Sequence, residues 1–240
     1  MKGIHIGTSG WHYKHWHDVF YPAEIQDESM LRYYCGNFKT VEINNSFYHL
    51  PKSKTLKAWH TAVPDGFVFA VKASRYITHM KKLKNCSEPV KKFLNRVETL
   101  RDKMGPVVFQ LPPRWSKNPE RLEEFLSIFP SNHRFAFEFR DGSWFASEIY
   151  DLLAEYNAAF CIYDFNRRSS PREITADFVY LRLHGPDGAY RGSYSASYLS
   201  ELAGEIKGWA EGNREVFCYF DNDQKGYAAE NARQLQALIA

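Results

Sequence analysis

Eight times along the chain, a short apolar run is closed by glycine, proline, asparagine or serine. The runs are residues 3–9, 41–48, 67–74, 106–112, 134–140, 159–164, 178–185 and 215–222. Most are rich in Val, Ile, Phe and Tyr, which pack well on a pleated surface, so each predicts a strand. Between the runs, apolar residues recur every three or four positions, the spacing of one helix face. Val90, Phe93, Leu94, Val97 and Leu100 form one stripe. Leu122, Phe125, Leu126 and Phe129 form another, behind Asn118 as cap and Pro119 in the first turn. Three more stripes follow: Ile149, Leu152, Leu153 and Tyr156; Leu199, Leu202, Ala203, Ile206 and Trp209; Ala228, Ala232, Leu235 and Leu238. Weaker helical patterns cover 28–34 and 54–62. Residues 165–177 carry Arg, Ser and Pro without a stripe, so the sixth helix is expected to be short or missing.

Strand and helix therefore alternate along nearly the whole chain, which argues for a parallel sheet with helical crossovers. Eight repeats favour closure into a (β/α)₈ TIM-type barrel over an open sheet. The 240 residues are close to the roughly 250 typical of one such barrel. Without a linker, low-complexity tract or composition shift, residues 1–240 are expected to form one domain.

Composition narrows the setting rather than the function. Hydrophobic residues make up 44% and charged residues 25%, enough apolar mass for a sizeable core. The net charge of +3 is too small to indicate nucleic acid by itself. Cys35, Cys86, Cys161 and Cys218 are far apart in sequence and lack metal-knuckle or redox spacing. No apolar run approaches the roughly 18 residues of a membrane span, and residues 4–10 are too short and polar for a secretory leader. The expected location is a reducing cytoplasm, with no membrane partner.

A barrel also fixes where to look for chemistry, at the C-terminal strand ends and the loops that follow. Side chains two apart on a strand share a face. In the seventh strand Tyr180, Arg182 and His184 oppose Val179, Leu181 and Leu183, so the polar trio should face the barrel interior. In the fifth, Glu138 and Arg140 oppose Phe135, Phe137 and Phe139. In the second, Glu42, Asn44 and Ser46 oppose Val41, Ile43 and Phe47. Lys72 and Gln110 occupy comparable depths in strands three and four. Two carboxylates and three cations would thus converge, and the surplus positive charge suits an anion. Arg140 and Arg182 offer planar forks for phosphate or carboxylate. A self-satisfied ionic network needing no ligand is the competing reading. Basic residues in 75–85 and 166–173 would rim the same mouth and steer anions inward. Trp11, Tyr13 and Trp16 in the first loop could stack on a ligand or cap the mouth. The histidines His12, His15 and His17 lack a recognised metal spacing.

These positions fall in motifs. Gly7-Thr8-Ser9-Gly10-Trp11, Val41-Glu42-Ile43-Asn44-Asn45-Ser46-Phe47-Tyr48, Gln110-Leu111-Pro112-Pro113, Phe137-Glu138-Phe139-Arg140 with Ser143-Trp144, Arg182-Leu183-His184-Gly185 and Tyr219-Phe220-Asp221-Asn222-Asp223 stand in this order. The chain resembles the YecE-like family, a family of unknown function, over essentially its whole length. Asp221 stands where the family pattern leads one to expect asparagine. The resemblance implies a TIM-type barrel and no settled activity.

The expected activity is acid/base chemistry on a small phosphorylated or carboxylated substrate, as in a hydrolase or lyase. Glu42, Glu138 and His184 are the candidate catalytic groups. Trp11, Tyr13, Asn44, Tyr48, Lys72, Gln110, Arg140, Trp144, Arg182 and Asn222 are the candidate substrate contacts. No cofactor is expected, with a divalent metal as the lesser alternative. That alternative is a metal-dependent phosphodiesterase or nucleic-acid binder of the endonuclease IV type. It has Glu42, Glu138, Asp164, His184 and Asp221 in its favour and the intervening cations against it. A glycosidase would use two carboxylates but has no need of the cations. A ligand-binding barrel without turnover is the remaining reading, and the sequence does not fix the oligomeric state.

Overall fold

The computed structural model describes residues 3–240. Eight parallel strands follow one another around a nearly closed barrel: β1 (Ile4–Thr8), β2 (Thr40–Ile43), β3 (Val68–Lys72), β4 (Met104–Gln110), β5 (Phe135–Glu138), β6 (Ala159–Phe165), β7 (Phe178–Leu183) and β8 (Glu215–Phe220). Each pairs in parallel with the next from β2 through to β8, and β8 pairs with β1. The seam between β1 and β2 is closed just past β1, where Ser9 bridges Glu42 and the Gly10 N–H donates to the Glu42 carbonyl at 2.8 Å. Gly7 permits this approach, because a Cβ there would lie 2.3 Å from the Thr40 carbonyl oxygen.

Seven helices fill the crossovers: α1 (Asp27–Cys35), α2 (Ser53–Ala62), α3 (Ser87–Val97), α4 (Pro119–Leu126), α5 (Ser147–Glu155), α6 (Ala196–Glu211) and α7 (Tyr227–Ile239). All five strong stripes and both weak ones thus become helices. Asn118 caps α4 as expected, its side chain accepting from the Arg121 N–H at 2.8 Å. The crossover from β6 to β7 has no helix, also as the sequence indicates. Residues Arg168–Ser169 turn back as a short antiparallel pair on β6. The Ser170 hydroxyl accepts from Tyr163 N–H and the Thr175 hydroxyl from Phe160 N–H, so side chains hold what a helix would otherwise cover.

Two apolar layers result. Outward residues such as Val71, Phe109, Phe137, Leu181 and Val216 pack beneath the helices. Inward residues form a separate core in which small side chains on β3 to β6 (Ala70, Val108, Ala136, Ala159, Cys161) face large ones on β7 and β8 (Phe178, Tyr180, Phe217, Tyr219). Large opposite small lets the two sides of the barrel interior interlock, as a packed interior demands. Above this plug the inward positions become polar.

One strand is shorter than its pattern. The run 41–48 predicts a single strand, but β2 ends at Ile43 and Asn45–Phe47 form a 3₁₀ turn. The Ser46 hydroxyl donates to Ile43 O and Lys72 O, which fixes that turn against β3. Asn44 and Ser46 therefore sit above the strand rather than on its inward face. No described helix is long and apolar enough to cross a membrane.

Candidate functional site

Inward alternation on β2, β5 and β7 delivers Glu42, Glu138 and Arg182 to one level at the C-terminal end of the barrel, all fully buried. Arg182 is the hub. Its Nε donates to Glu42 Oε2 at 2.9 Å, one Nη to Glu138 Oε2 at 2.7 Å, and the other Nη to Glu42 Oε1 at 2.7 Å and Asp221 Oδ2 at 3.1 Å. Glu42 also accepts from the Ser9 and Tyr180 hydroxyls, at 2.5 and 2.7 Å. Arg140 donates through Nε to Glu138 and through one Nη to His184 Nε2 at 2.9 Å. Its guanidinium lies 3.9 Å from the Phe165 ring centre and 4.9 Å from that of Tyr163.

Because Nε2 of His184 accepts from arginine, its proton belongs on Nδ1. Nδ1 lies 2.9 Å from Asp221 Oδ2, with that oxygen off the N–H axis, so the contact is electrostatic rather than a formed hydrogen bond. Asp164 steadies the same segment, accepting from the His184 backbone N–H at 2.7 Å and from the Tyr194 hydroxyl. Burial raises the Asp164 carboxyl above its ordinary range, against the pull of those two hydrogen bonds. Burial also acts to raise Glu138, but Arg140 and Arg182 outweigh it and hold the carboxyl well below the usual range. Asp221 is likewise held low, burial being overcome by His184 and Arg182.

Alternation on strands two, five and seven, with Lys72 added from strand three, predicts two carboxylates against three cations. Asp221, on the inward face of the run Phe217-Tyr219-Asp221, is the third carboxylate. Formal charges of Glu42, Glu138 and Asp221 then match those of Arg182, Arg140 and Lys72. Arg182 has its guanidinium taken up by carboxylates, so it is not a free fork for a ligand. The signal for Asp221 was its spacing on β8, the rule that picked out Glu138 on β5.

Lys72 is different. It is 5% exposed, yet among the described residues no carboxylate lies within ion-pairing distance and its ammonium makes no hydrogen bond. The sealed polar atoms without a partner are His184 Nδ1 and Asn222 Oδ1, so the unpaired Lys72 nitrogen opens to the mouth. It stands 4.5 Å from the centre of the Phe47 ring. Burial, then Arg182, push its pKa down to about 8. His79, in the turn after β3, is pushed down to about 4 by burial and then by Lys72, Arg75 and Arg140. Those causes mark a positive field at the rim.

The remaining expected contacts separate into groups. Trp11, Tyr13, Asn44 and Tyr48 line a cavity of about 750 Å³ beside the mouth, which Trp59, Asp27 and Glu28 also line. Trp11 meets Trp59 edge-on at 4.9 Å. The Tyr13 hydroxyl donates to Ser9 O at 2.6 Å, and Asp221, Asp223 and Glu42 help burial to raise it. That position makes Tyr13 a wall between the cavity and the ionic cluster. Gln110 is half-buried, opposite Glu138 in the β4–β5 register. Trp144 does not reach the mouth: it is fully buried, stacked on Phe139 at 4.8 Å and donating to Trp115 O. Asn222 is also sealed, its amide donating to Gly192 O and Asn231. Trp16 is fully buried, so only part of the aromatic loop faces the cavity. His79, Phe165 and Tyr190 are mouth residues without a periodic signal in the sequence, whereas Phe47, expected on the outward face with Val41 and Ile43, is carried to Lys72 by the 3₁₀ turn. Among the described residues, no group of three His, Cys, Asp or Glu side chains could hold a metal ion.

Residues 5–240 match the family described as "Protein of unknown function DUF72". The chain belongs to the DUF72 family. The YecE-like resemblance carried by the motifs and this family are the same assignment. The DUF72 chain is 24% identical to the UPF0759 protein YunF of Bacillus subtilis (strain 168), over 98% of its own length and 94% of that protein. A DUF72 family protein of Thermotoga maritima MSB8 has a TM-score of 0.90 with 27% identity, covering 99% of each chain. Another, from Enterococcus faecalis V583, has a TM-score of 0.85 with 20% identity, covering 98% of this chain and 95% of that one. The DUF72 barrel thus shares its architecture with solved members from distant bacteria.

Proposed function

We propose that this DUF72 barrel is an enzyme that binds a small carboxylated or phosphorylated substrate at the C-terminal mouth and acts on it by acid/base chemistry. The observation that carries the reading is Lys72, a buried cation facing the mouth without an acidic partner. Burying an unpaired charge costs several kcal/mol, a cost that an anionic ligand would offset. Arg140 adds to the attraction, because one of its Nη atoms makes no hydrogen bond among the described residues while the rest of the fork is held by Glu138 and His184. Arg182 supports the site from behind, holding Glu42 and Glu138 in place and keeping Glu138 ionised. His184 is the acid/base candidate nearest both Arg140 and Asp221. The aromatic cavity beside Tyr48 suits the uncharged part of the same substrate.

Isothermal titration with inorganic phosphate and with pyruvate tests this. Wild-type protein is expected to bind at least one of them, with affinity about tenfold weaker in Lys72→Met and in Arg140→Met. Equal affinity in wild type and both variants, or no binding of either anion, would sink the reading.

A further inference from the structure

Among the described residues two lysines, Lys72 and Lys103, are buried, and they are treated oppositely. Lys103, just before β4, donates to the His60 and Val63 carbonyls at 2.9 and 2.8 Å, tying down the end of α2. Lys72 has neither a carbonyl nor a carboxylate to receive its protons. Its ammonium nitrogen stands over the face of Phe47, 4.5 Å from the ring centre. The ring of His79 meets Phe47 edge-on at 5.1 Å, so imidazole and amine share one aromatic wall. His79 Nδ1 lies 2.9 Å from the Thr78 hydroxyl, and its Nε2 is without a partner among the described residues. A primary amine with no fixed acceptor, open to the mouth beside an uncommitted imidazole nitrogen, is equipped as a nucleophile rather than as a strut.

We propose that Lys72 forms an imine with the carbonyl carbon of a small aldehyde or ketone that carries a carboxylate or phosphate group. The proposal rests on the anionic-substrate reading above, and names the reactive group that such a substrate must bear. In the step, the Lys72 nitrogen lone pair attacks the carbonyl carbon and the C=O π electrons move to oxygen. That oxygen takes up a proton and the nitrogen loses one, giving a carbinolamine. A second proton converts the hydroxyl to a leaving water as the nitrogen lone pair closes the C=N bond, and the resulting iminium returns that proton by losing its N–H. Amine and carbonyl thus become imine and water, with no oxidant or reductant. His79, which shares the Phe47 ring with Lys72, is the group assigned to relay these protons, and the free Arg140 Nη the group assigned to hold the anionic end. Burial and Arg182 leave on the order of a hundredfold more Lys72 as free amine at neutral pH than an ordinary lysine has.

The test is reductive trapping on the full chain. Protein is incubated with pyruvate, dihydroxyacetone phosphate or acetone, each with sodium cyanoborohydride, and the adducts are located by peptide mass mapping. Pyruvate or dihydroxyacetone phosphate is expected to label Lys72 about tenfold or more above any surface lysine. Excess inorganic phosphate should suppress that label. Lys72→Arg, which keeps the charge but removes the amine, should show none there while melting like the wild type, and Lys72→Met provides a second variant if the arginine does not fold. No enrichment at Lys72 with either anionic carbonyl overturns the imine; if phosphate still binds, the anion site survives without it. Equal labelling of Lys72 by acetone, insensitive to phosphate, keeps the imine and overturns the anionic class of substrate.

Discussion

Lys72 illustrates how a single buried side chain can cost stability. Its pKa falls from the ordinary 10.5 to about 8 because burial, then Arg182, oppose its charge. A shift of that size corresponds to roughly 3 kcal/mol between protonation states. The folded protein releases this proton more readily than the unfolded chain does, so between about pH 8 and 10.5 the unfolded state holds more protons and stability rises with pH. Lys72→Met removes the charge and keeps the packing stem, so it is expected to stabilise the fold by about 1–3 kcal/mol below pH 8. That gain should vanish towards pH 10.5. Urea denaturation of both proteins at pH 7 and pH 10 measures it, and a variant less stable than wild type at pH 7 would refute it. The reverse case is Trp144, which reads in sequence as a mouth residue because it follows the Glu138–Arg140 motif. Its indole stacks on Phe139, an outward residue, and so belongs beneath the helices. Sequence proximity to a motif says nothing about which face a loop residue will choose.

Elements were legible where the hydrophobic period was clean and obscure where a turn imitates it. β5 and β7 alternate strictly, and the inward residues Glu138, Tyr180 and Arg182 follow directly. Residues 41–43 alternate as well, but Asn45 blurs the pattern beyond them and there the chain forms a 3₁₀ turn. Its deciding contact is the Ser46 hydroxyl on the Lys72 carbonyl at 2.6 Å, a tertiary bond that no local pattern encodes. His79 and Phe47 reach the mouth through such turns, which is why half of the Lys72 surroundings could not be read from periodicity. The missing sixth helix was legible through the absence of any stripe, and its replacement is testable. Thr175 accepts from Phe160 N–H at 2.8 Å and donates to Ala158 O at 2.6 Å, binding the loop to the start of β6. Thr175→Val keeps the shape but leaves a buried N–H and carbonyl unpaired. The expected cost is about 1–3 kcal/mol, read as a lower urea midpoint. A change below about 0.5 kcal/mol would mean the loop does not depend on this bond.

At the scale of the whole barrel, Arg182 joins chain ends that are remote in sequence. From β7 it holds Glu42 on β2, Glu138 on β5 and Asp221 just past β8, with the Ser9 hydroxyl at 3.3 Å. The same ions that compose the candidate site therefore help to fix the barrel's circumference at the C-terminal ends of its strands. Removing one partner of a buried pair leaves uncompensated charge, so Arg182→Met is expected to cost about 3–5 kcal/mol at pH 7. The sign with pH follows from Glu138 and Asp221, whose carboxyls are depressed in the folded state. Their stabilising contribution is present above the ordinary values of 4.5 and 3.8 and is lost as pH falls through the folded ones. In the variant the carboxylates no longer face Arg182, and taking up protons relieves the burial of their charge. Acidification thus weakens the wild type and relieves the variant, so the stability gap should narrow from pH 7 to pH 4. Urea unfolding of both proteins across that range decides it. An unchanged gap would mean that the cluster is held by packing alone and that Arg182 contributes by its bulk rather than its charge.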